Sequence, residues 1–305
     1  MIIRRQAGNL TWIDLESPNQ DEIKQITEEF KIHSLVAHEM SIPTLRPRVD
    51  LYPNSIYLIL HFPTLRRNEE GNFADQEIDF IIGKDFIITA RYGDVDAMVP
   101  FSRSFEVNSI LGRGFGGEHA GFVFFVMLSN IYESLLNRIE SIKGEVGEIE
   151  NKIFKGEEQE MVVRLSEVSR ELLDFKRATS LHHEILESFE IAAVKFFGDD
   201  FKFHLHTLIG EYYKIENSLR NSLELVAELR ATNNALITTK QNSVMQSLTV
   251  ITFIVLPLTF IVSLFQIPSQ ILPIIGLKND FWIIILAMTI ILSLELIYFK
   301  WKKWL

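Results

Sequence analysis

The rhythm of hydrophobic positions changes along this chain and divides it into regions. Between residues 55 and 90, short runs rich in Ile, Phe and Tyr (55–62, 77–82 and 86–90) predict strands, and Gly83-Lys84 supplies a tight turn between the last two. From residue 120 to 197 the period lengthens. Ile131, Leu135, Ile139, Ile142, Val146, Ile149 and Ile153 recur at spacings of three and four, which predicts one apolar face on a charged helix. Lys155-Gly156 marks a turn, so one helix is expected to about 154 and another from about 158, paired antiparallel. Near the end stand two long apolar runs, 247–265 and 281–299.

Those two runs change the class of the protein. No charged side chain lies between Lys240 and Lys278, and about 20 apolar residues suffice for a helix to cross a hydrocarbon core of roughly 30 Å. Glu295 interrupts the second run one turn before Lys300-Trp301-Lys302-Lys303-Trp304, where a long side chain reaches the interface. Spans of about 245–265 and 281–300 are therefore expected to form a helical hairpin in a lipid bilayer. A buried helical hairpin of a soluble protein is the alternative. Lys300, Lys302 and Lys303 place the end of the second span inside, and two spans return the N-terminal body to the same side, so both termini are expected in the cytoplasm. Trp282 at one end, with Tyr298, Trp301 and Trp304 at the other, suit the interfaces.

Proline divides the remainder. Six of nine prolines lie in the first 100 residues, and none occurs between Pro100 and Pro257, so helix should follow helix there. Ser17-Pro18-Asn19-Gln20 reads as a capping box opening an amphipathic helix over 18–30. After Gly198-Asp199-Asp200 a continuous helix from about 205 to 265 would be roughly 90 Å long, longer than a membrane is thick. The expected fold is an α/β cytoplasmic domain (1–119), a helical hairpin with the cytoplasmic part of a long stalk helix (120–243), and a two-helix transmembrane hairpin (244–305).

Charge and composition remove several function classes. Residues 241–305 carry four lysines against two acids, so the formal −10 of the whole chain leaves −12 on residues 1–240. An acidic body argues against nucleic acid and is compatible with attracting cations. With no cysteine, disulfides and thiolate metal sites are excluded. Residues 1–10 have no apolar core of signal-peptide length. Gly112-Arg113-Gly114-Phe115-Gly116-Gly117 lacks the Gly-Lys-Ser/Thr ending of a phosphate loop and reads as a flexible joint. His182-His183 and His204-Leu205-His206 are not spaced to share a helical face, which favours surface or core roles over metal ligation. No catalytic constellation stands out, and an enzyme is the least favoured class.

Polar residues in the first span fall on one line. Thr249, Thr252, Thr259 and Ser263 are its polar side chains from 248 to 265, and with Leu256 they repeat at 3, 4, 3 and 4. Continued backwards, the line passes Met245, Asn242, Thr238, Ala235, Ala231, Glu228 and Glu224. Such a stripe fits several copies of the helix facing a central axis, or a packing seam between membrane helices.

The segments from Asn242-Ser243-Val244-Met245 through Leu256-Pro257-Leu258-Thr259-Phe260-Ile261, the second span and the Lys/Trp ending resemble the CorA-type magnesium transporters. Trp12-Ile13-Asp14-Leu15, Arg46-Pro47-Arg48-Val49 and Gly83-Lys84-Asp85-Phe86 are similar to that family's cytoplasmic domain. The resemblance runs over nearly the whole chain. It implies a funnel-shaped homopentamer in the cell (inner) membrane that passes Mg2+ or another divalent cation, bound also as a possible regulatory ion. By position, Asn242, Met245, Leu248, Leu256 and Thr259 match the family's pore-facing residues. Asn242 would offer carboxamide oxygens to a hydrated cation, and Met245, Leu248 and Leu256 would form apolar constrictions. The stripe and the family positions differ by one residue, 249 against 248.

One departure is pronounced. The family carries Gly-Met-Asn just after the first span, where this chain has Gln266-Ile267-Pro268. Pro268 has neither a side-chain oxygen nor a backbone N–H to replace the Asn. The loop from Ser269 to Pro273 is neutral, and Asp280 is the acid beyond it. Gln266 is the expected replacement ligand at the outer entrance. The family's sensing carboxylate on the long helix falls at Ala231 by alignment through Asn242, and Glu228, one turn away, is the candidate regulatory metal residue. Three readings stay open: passage of Mg2+, passage of another cation such as Zn2+, and a non-conducting scaffold or sensor.

Overall fold

A computed structural model describes residues 1–44, 46–64, 75–93, 98–110, 119–266 and 279–304. The chain divides into two compact units, Met1–Arg230 and Ala231–Leu305. Gly112 to Gly117 lie outside the described residues, as do Ile267, Pro268 and the loop that follows them.

In the first unit, strands β1 (Ile2–Ala7), β2 (Leu10–Glu16), β3 (Arg48–Leu51), β4 (Ile56–Pro63), β5 (Asp75–Ile82) and β6 (Phe86–Arg91) form one sheet in the order β1-β2-β6-β5-β4-β3. β2 pairs with β6 in parallel, with Ile13 opposite Ile88, while the other described pairings are antiparallel. The runs at 55–62, 77–82 and 86–90 are thus strands β4, β5 and β6. Between the last two, Gly83 donates its N–H to the Phe86 carbonyl (2.8 Å), and a Cβ at 83 would stand 2.3 Å from the Phe86 ring.

Alternation along the strands feeds two cores. Ile13, Leu15, Ile59, Ile81 and Ile88 pack with Ile23 and Ile26 of α1 (Gln20–Phe30) and Val36 of α2 (Ser34–Glu39). On Trp12 the rings of Phe101 and Phe105 from α3 (Met98–Ile110) close to 5.0 and 5.2 Å, and Phe80 meets Phe124 of α4 (Ala120–Phe154) at 5.2 Å. α1 begins later than its sequence pattern predicts. Asn19, not Ser17, is its N-cap: Asn19 accepts from the Glu22 N–H and Glu22 reaches back to the Asn19 N–H, while Ser17 takes a positive φ of 43°. Glu at the third helical position closes both bonds, which Gln20 after Ser17 does not.

All seven apolar residues of the α4 stripe, from Ile131 to Ile153, are buried. The helix expected from 158 to 197 is two, α5 (Glu158–Thr179) and α6 (His182–Phe197). Neither Gly nor Pro marks the break. Thr179 and Ser180 turn their hydroxyls onto the carbonyls of Phe175 and Arg177, and His182 restarts the chain against Tyr132 and the His61 carbonyl.

α7 (Lys202–Phe265) runs unbroken through Pro257, and α8 (Asp280–Trp301) follows. Three described helices are long and apolar enough to cross a membrane, and burial separates them. Half of the most apolar window of α4 is buried inside the protein, against 6% for α7 and none for α8. The apolar face of α4 is therefore spent on the first unit, and only α7 and α8 keep apolar surface for lipid or for copies of the chain.

Candidate ion pathway on the long helix

The second unit is built from the later turns of α7 and from α8. On α7, Val250 is buried and Ile254, Pro257, Ile261 and Phe265 are half-buried, spaced so that they share one face. Phe253 and Pro257 meet Ile291, Leu294, Tyr298 and Phe299 of α8 around a cavity of about 330 Å³, with the Phe253 and Phe299 rings 6.4 Å apart. The polar stripe lies away from that face. Asn242, Met245, Leu248, Thr252, Leu256, Thr259 and Ser263 are exposed. Thr249 is partly covered, so of the two neighbours at which stripe and family positions differ, Leu248 is the more open.

The hydroxyls on this stripe share one chemical arrangement. Thr249 donates to the Met245 carbonyl at 2.8 Å, Thr252 to Leu248 at 2.8 Å, Thr259 to Val255 at 2.7 Å and Ser263 to Thr259 at 2.9 Å. A hydroxyl has a single hydrogen and two lone pairs. With each hydrogen spent inside the helix, the stripe presents oxygen acceptors outward. That is the chemistry a cation, or the hydrogens of its water shell, requires.

Gln266 ends α7, donating its N–H to the Ser263 carbonyl at 3.2 Å, with its side chain exposed. Ile267 and Pro268, the rest of the expected outer entrance, lie outside the described residues. Glu228 is exposed on the part of α7 that belongs to the first unit. Among the described residues no three His, Asp or Glu side chains gather into a metal-holding group, so Glu228 is not joined there by two further ligands of these types.

α8 carries one acidic residue within its apolar run. Glu295 lines the cavity between α7 and α8 beside Pro257, and its buried Oε2 meets no hydrogen-bond donor. No sequence signal places it there, because the helix has no polar face to set its direction. At the end of the helix, Lys303 takes a left-handed φ of 56°, so the Trp304 N–H reaches the Phe299 carbonyl (3.0 Å) and the Trp304 ring stacks on Phe299. The Lys/Trp ending is thus a helix stop as well as a charged flank.

Comparison with known proteins gives this geometry a context. The model of the family described as CorA-like Mg2+ transporter protein matches residues 7–302. The chain is 23% identical over 310 residues to the cobalt/magnesium transport protein CorA of Thermotoga maritima, covering 99% of this chain and 85% of that protein. Its fold is similar to the complete structure of the CorA magnesium transporter from Methanocaldococcus jannaschii, with a TM-score of 0.84 at 17% identity over 99% of this chain and 94% of that one. The soluble domain of CorA from the same organism matches with a TM-score of 0.63 at 14% identity, over 72% of this chain and 86% of that one.

Proposed function

Because this chain belongs to the CorA-like Mg2+ transporter family, whose members are transporters and not enzymes, we propose that it passes a divalent cation, Mg2+ before others, through a pore lined by α7 in a homopentamer. α7 and α8 would cross the cell (inner) membrane as a hairpin, with both termini cytoplasmic. The acceptor stripe carries this reading: Thr252, Thr259 and Ser263 lie on the face of α7 turned away from the α8 contact and are free to face other copies of α7. Lys300, Lys302 and Lys303 support the orientation.

In this arrangement Asn242 would hold the hydration shell of the ion at the cytoplasmic mouth. Met245, Leu248 and Leu256 would form apolar rings that close by shedding water, and Thr249, Thr252, Thr259 and Ser263 would receive the ion between them. Gln266 would take the place of the missing Asn at the outer entrance, together with whatever Ile267 and Pro268 contribute through their backbone. Glu228 would be a regulatory ligand completed by a neighbouring subunit. The same replacement of Gly-Met-Asn by Gln266-Ile267-Pro268 supports a second reading, in which the ion is another divalent cation such as Zn2+ or the scaffold senses without conducting.

The test is uptake into liposomes holding a magnesium-sensitive dye, with and without an imposed potential, repeated with zinc, cobalt and nickel. Magnesium influx that depends on the potential is the expected result. Influx of zinc alone would favour the second ion, and silence from verified oligomers would favour the sensor.

A further inference from the structure

Two acids in the first unit lie outside the proposed ion pathway. Glu77 and Asp79 stand two apart on β5, so both carboxyls point to the same face of the sheet. Asp79 is fully buried, and the Glu77 side chain is 4% exposed. One oxygen of each is satisfied. Asp79 Oδ2 accepts from the hydroxyls of Tyr57 and Tyr92, both at 3.1 Å. Glu77 Oε2 accepts from the Thr44 N–H at 2.6 Å, with His61 Nε2 3.4 Å away. The other two oxygens, Glu77 Oε1 and Asp79 Oδ1, are buried and meet no donor, although the two side chains are in hydrogen-bonding contact with each other.

Two carboxylates in contact and out of water cannot both stay ionised. A single proton between the two unsatisfied oxygens completes both at once. We propose that Glu77 and Asp79 form a proton-binding site, one proton being shared between Glu77 Oε1 and Asp79 Oδ1. Glu77 also lines a cavity of about 540 Å³ with Thr44, His61, Tyr92, Arg177 and Leu181, which gives solvent protons a route to the pair.

The groups that face the site are Tyr57 and His61 from β4, Tyr92 after β6, and Thr44 after α2. Arg177, at the end of α5, lines the same cavity and is paired with Asp174 at 3.2 Å. Burial, then the adjoining Glu77 carboxyl, hold Asp79 well above the usual carboxylate range. A native state that keeps a proton the unfolded chain gives up is fully stabilised below the ordinary carboxylate range, and that stability is lost as pH rises from there through the raised native pKa. Above that point two like charges press apart where β5, the Thr44 segment and Tyr92 meet, so the site is a pH-sensitive device within the sheet.

Infrared difference spectroscopy on the full chain in lipid nanodiscs tests this across a pH titration. The expected result is a protonated-carboxyl band that persists above the ordinary carboxylate range, disappears as pH rises further, and shifts when aspartate carboxyls carry carbon-13. Glu77→Gln, whose side-chain N–H takes the place of the shared proton, should lose that band, and its melting temperature should no longer carry the part of the fall that begins as pH rises above the ordinary carboxylate range. Asp79→Asn should behave likewise. A wild-type band that ignores aspartate labelling overturns the proposal even if neither variant folds, as does a band, or the full wild-type slope above the ordinary carboxylate range, that survives in a folded Glu77→Gln.

Discussion

His182 Nδ1 stands 2.9 Å from the Tyr132 hydroxyl, and both side chains are fully buried. The second ring nitrogen, Nε2, lies 2.7 Å from the His61 carbonyl, which can only accept. Nε2 therefore carries the hydrogen, Nδ1 is the acceptor, and Tyr132 donates to it. This arrangement serves a neutral imidazole. Burial accordingly pushes the His182 pKa down to about 4. The unfolded chain binds the proton first as pH falls, so stability is complete above the ordinary histidine range and is lost from there down to about pH 4. Thermal unfolding should register a loss of about 3 kcal/mol across that window. His182→Gln, which can also donate and accept, should flatten the acid slope, and an unchanged slope would assign it to other groups.

Thr252→Val and Thr259→Val keep the shape of the acceptor stripe and remove its oxygens. Magnesium flux should fall by about tenfold or more in the double variant, equivalent to roughly 1.4 kcal/mol in the barrier, with helix content unchanged. Thr289→Val is the control, since Thr289 spends its hydroxyl in the same way on the Ile285 carbonyl but sits on α8. Equal losses in the control would mean that hydroxyls matter here for packing and not for the ion.

Gln266→Ala should lower flux and Gln266→Glu should raise it at low magnesium, because a carboxylate attracts a hydrated divalent cation more strongly than a carboxamide does. Flux untouched in Gln266→Ala would remove Gln266 from the entrance.

Glu295→Leu should raise the unfolding temperature in detergent, by about 1 kcal/mol or more of stability, because it fills an apolar cavity and removes a buried oxygen without a donor. A fall in stability would show that the carboxyl has a partner in the assembled protein.

Gly83→Ala should cost about 1–3 kcal/mol, since its Cβ would overlap the Phe86 ring that closes the β5–β6 turn. The measurement is chemical denaturation followed by tryptophan fluorescence, in which Trp12 reports on the same sheet. An unchanged midpoint would mean that Phe86 moves aside freely.

Periodicity made the helices and the stripe legible. Ile131 to Ile153 and Thr249 to Ser263 repeat at the helical period, and a helix converts that spacing directly into a face. What periodicity cannot show is which of two apolar faces another helix covers, so the partners of Val250 and Pro257 emerge only in three dimensions. β1 reads poorly because Arg4 and Arg5 occupy its centre as a charged edge strand, and their partners, Glu29 of α1 and Glu106 of α3, are distant in the chain. The break before His182 is set by Tyr132 and His61, again far away in sequence. Glu77 and Asp79 alternate with Ile78 and Phe80 in the pattern that normally marks a solvent face, yet that face is covered. Alternation reports the two sides of a strand but not what lies against each.

The hydroxyl geometry between Thr249 and Ser263 also bears on what the stripe refuses. Chloride and phosphate need hydrogens to replace those of water, and these side chains have turned theirs inward. An anion would lose its hydration there and receive nothing in return. Discrimination by sign would then need no ionised group on the stripe, and since neutral dipoles are little affected by a salt atmosphere, it should persist at ionic strengths that screen a ring of carboxylates.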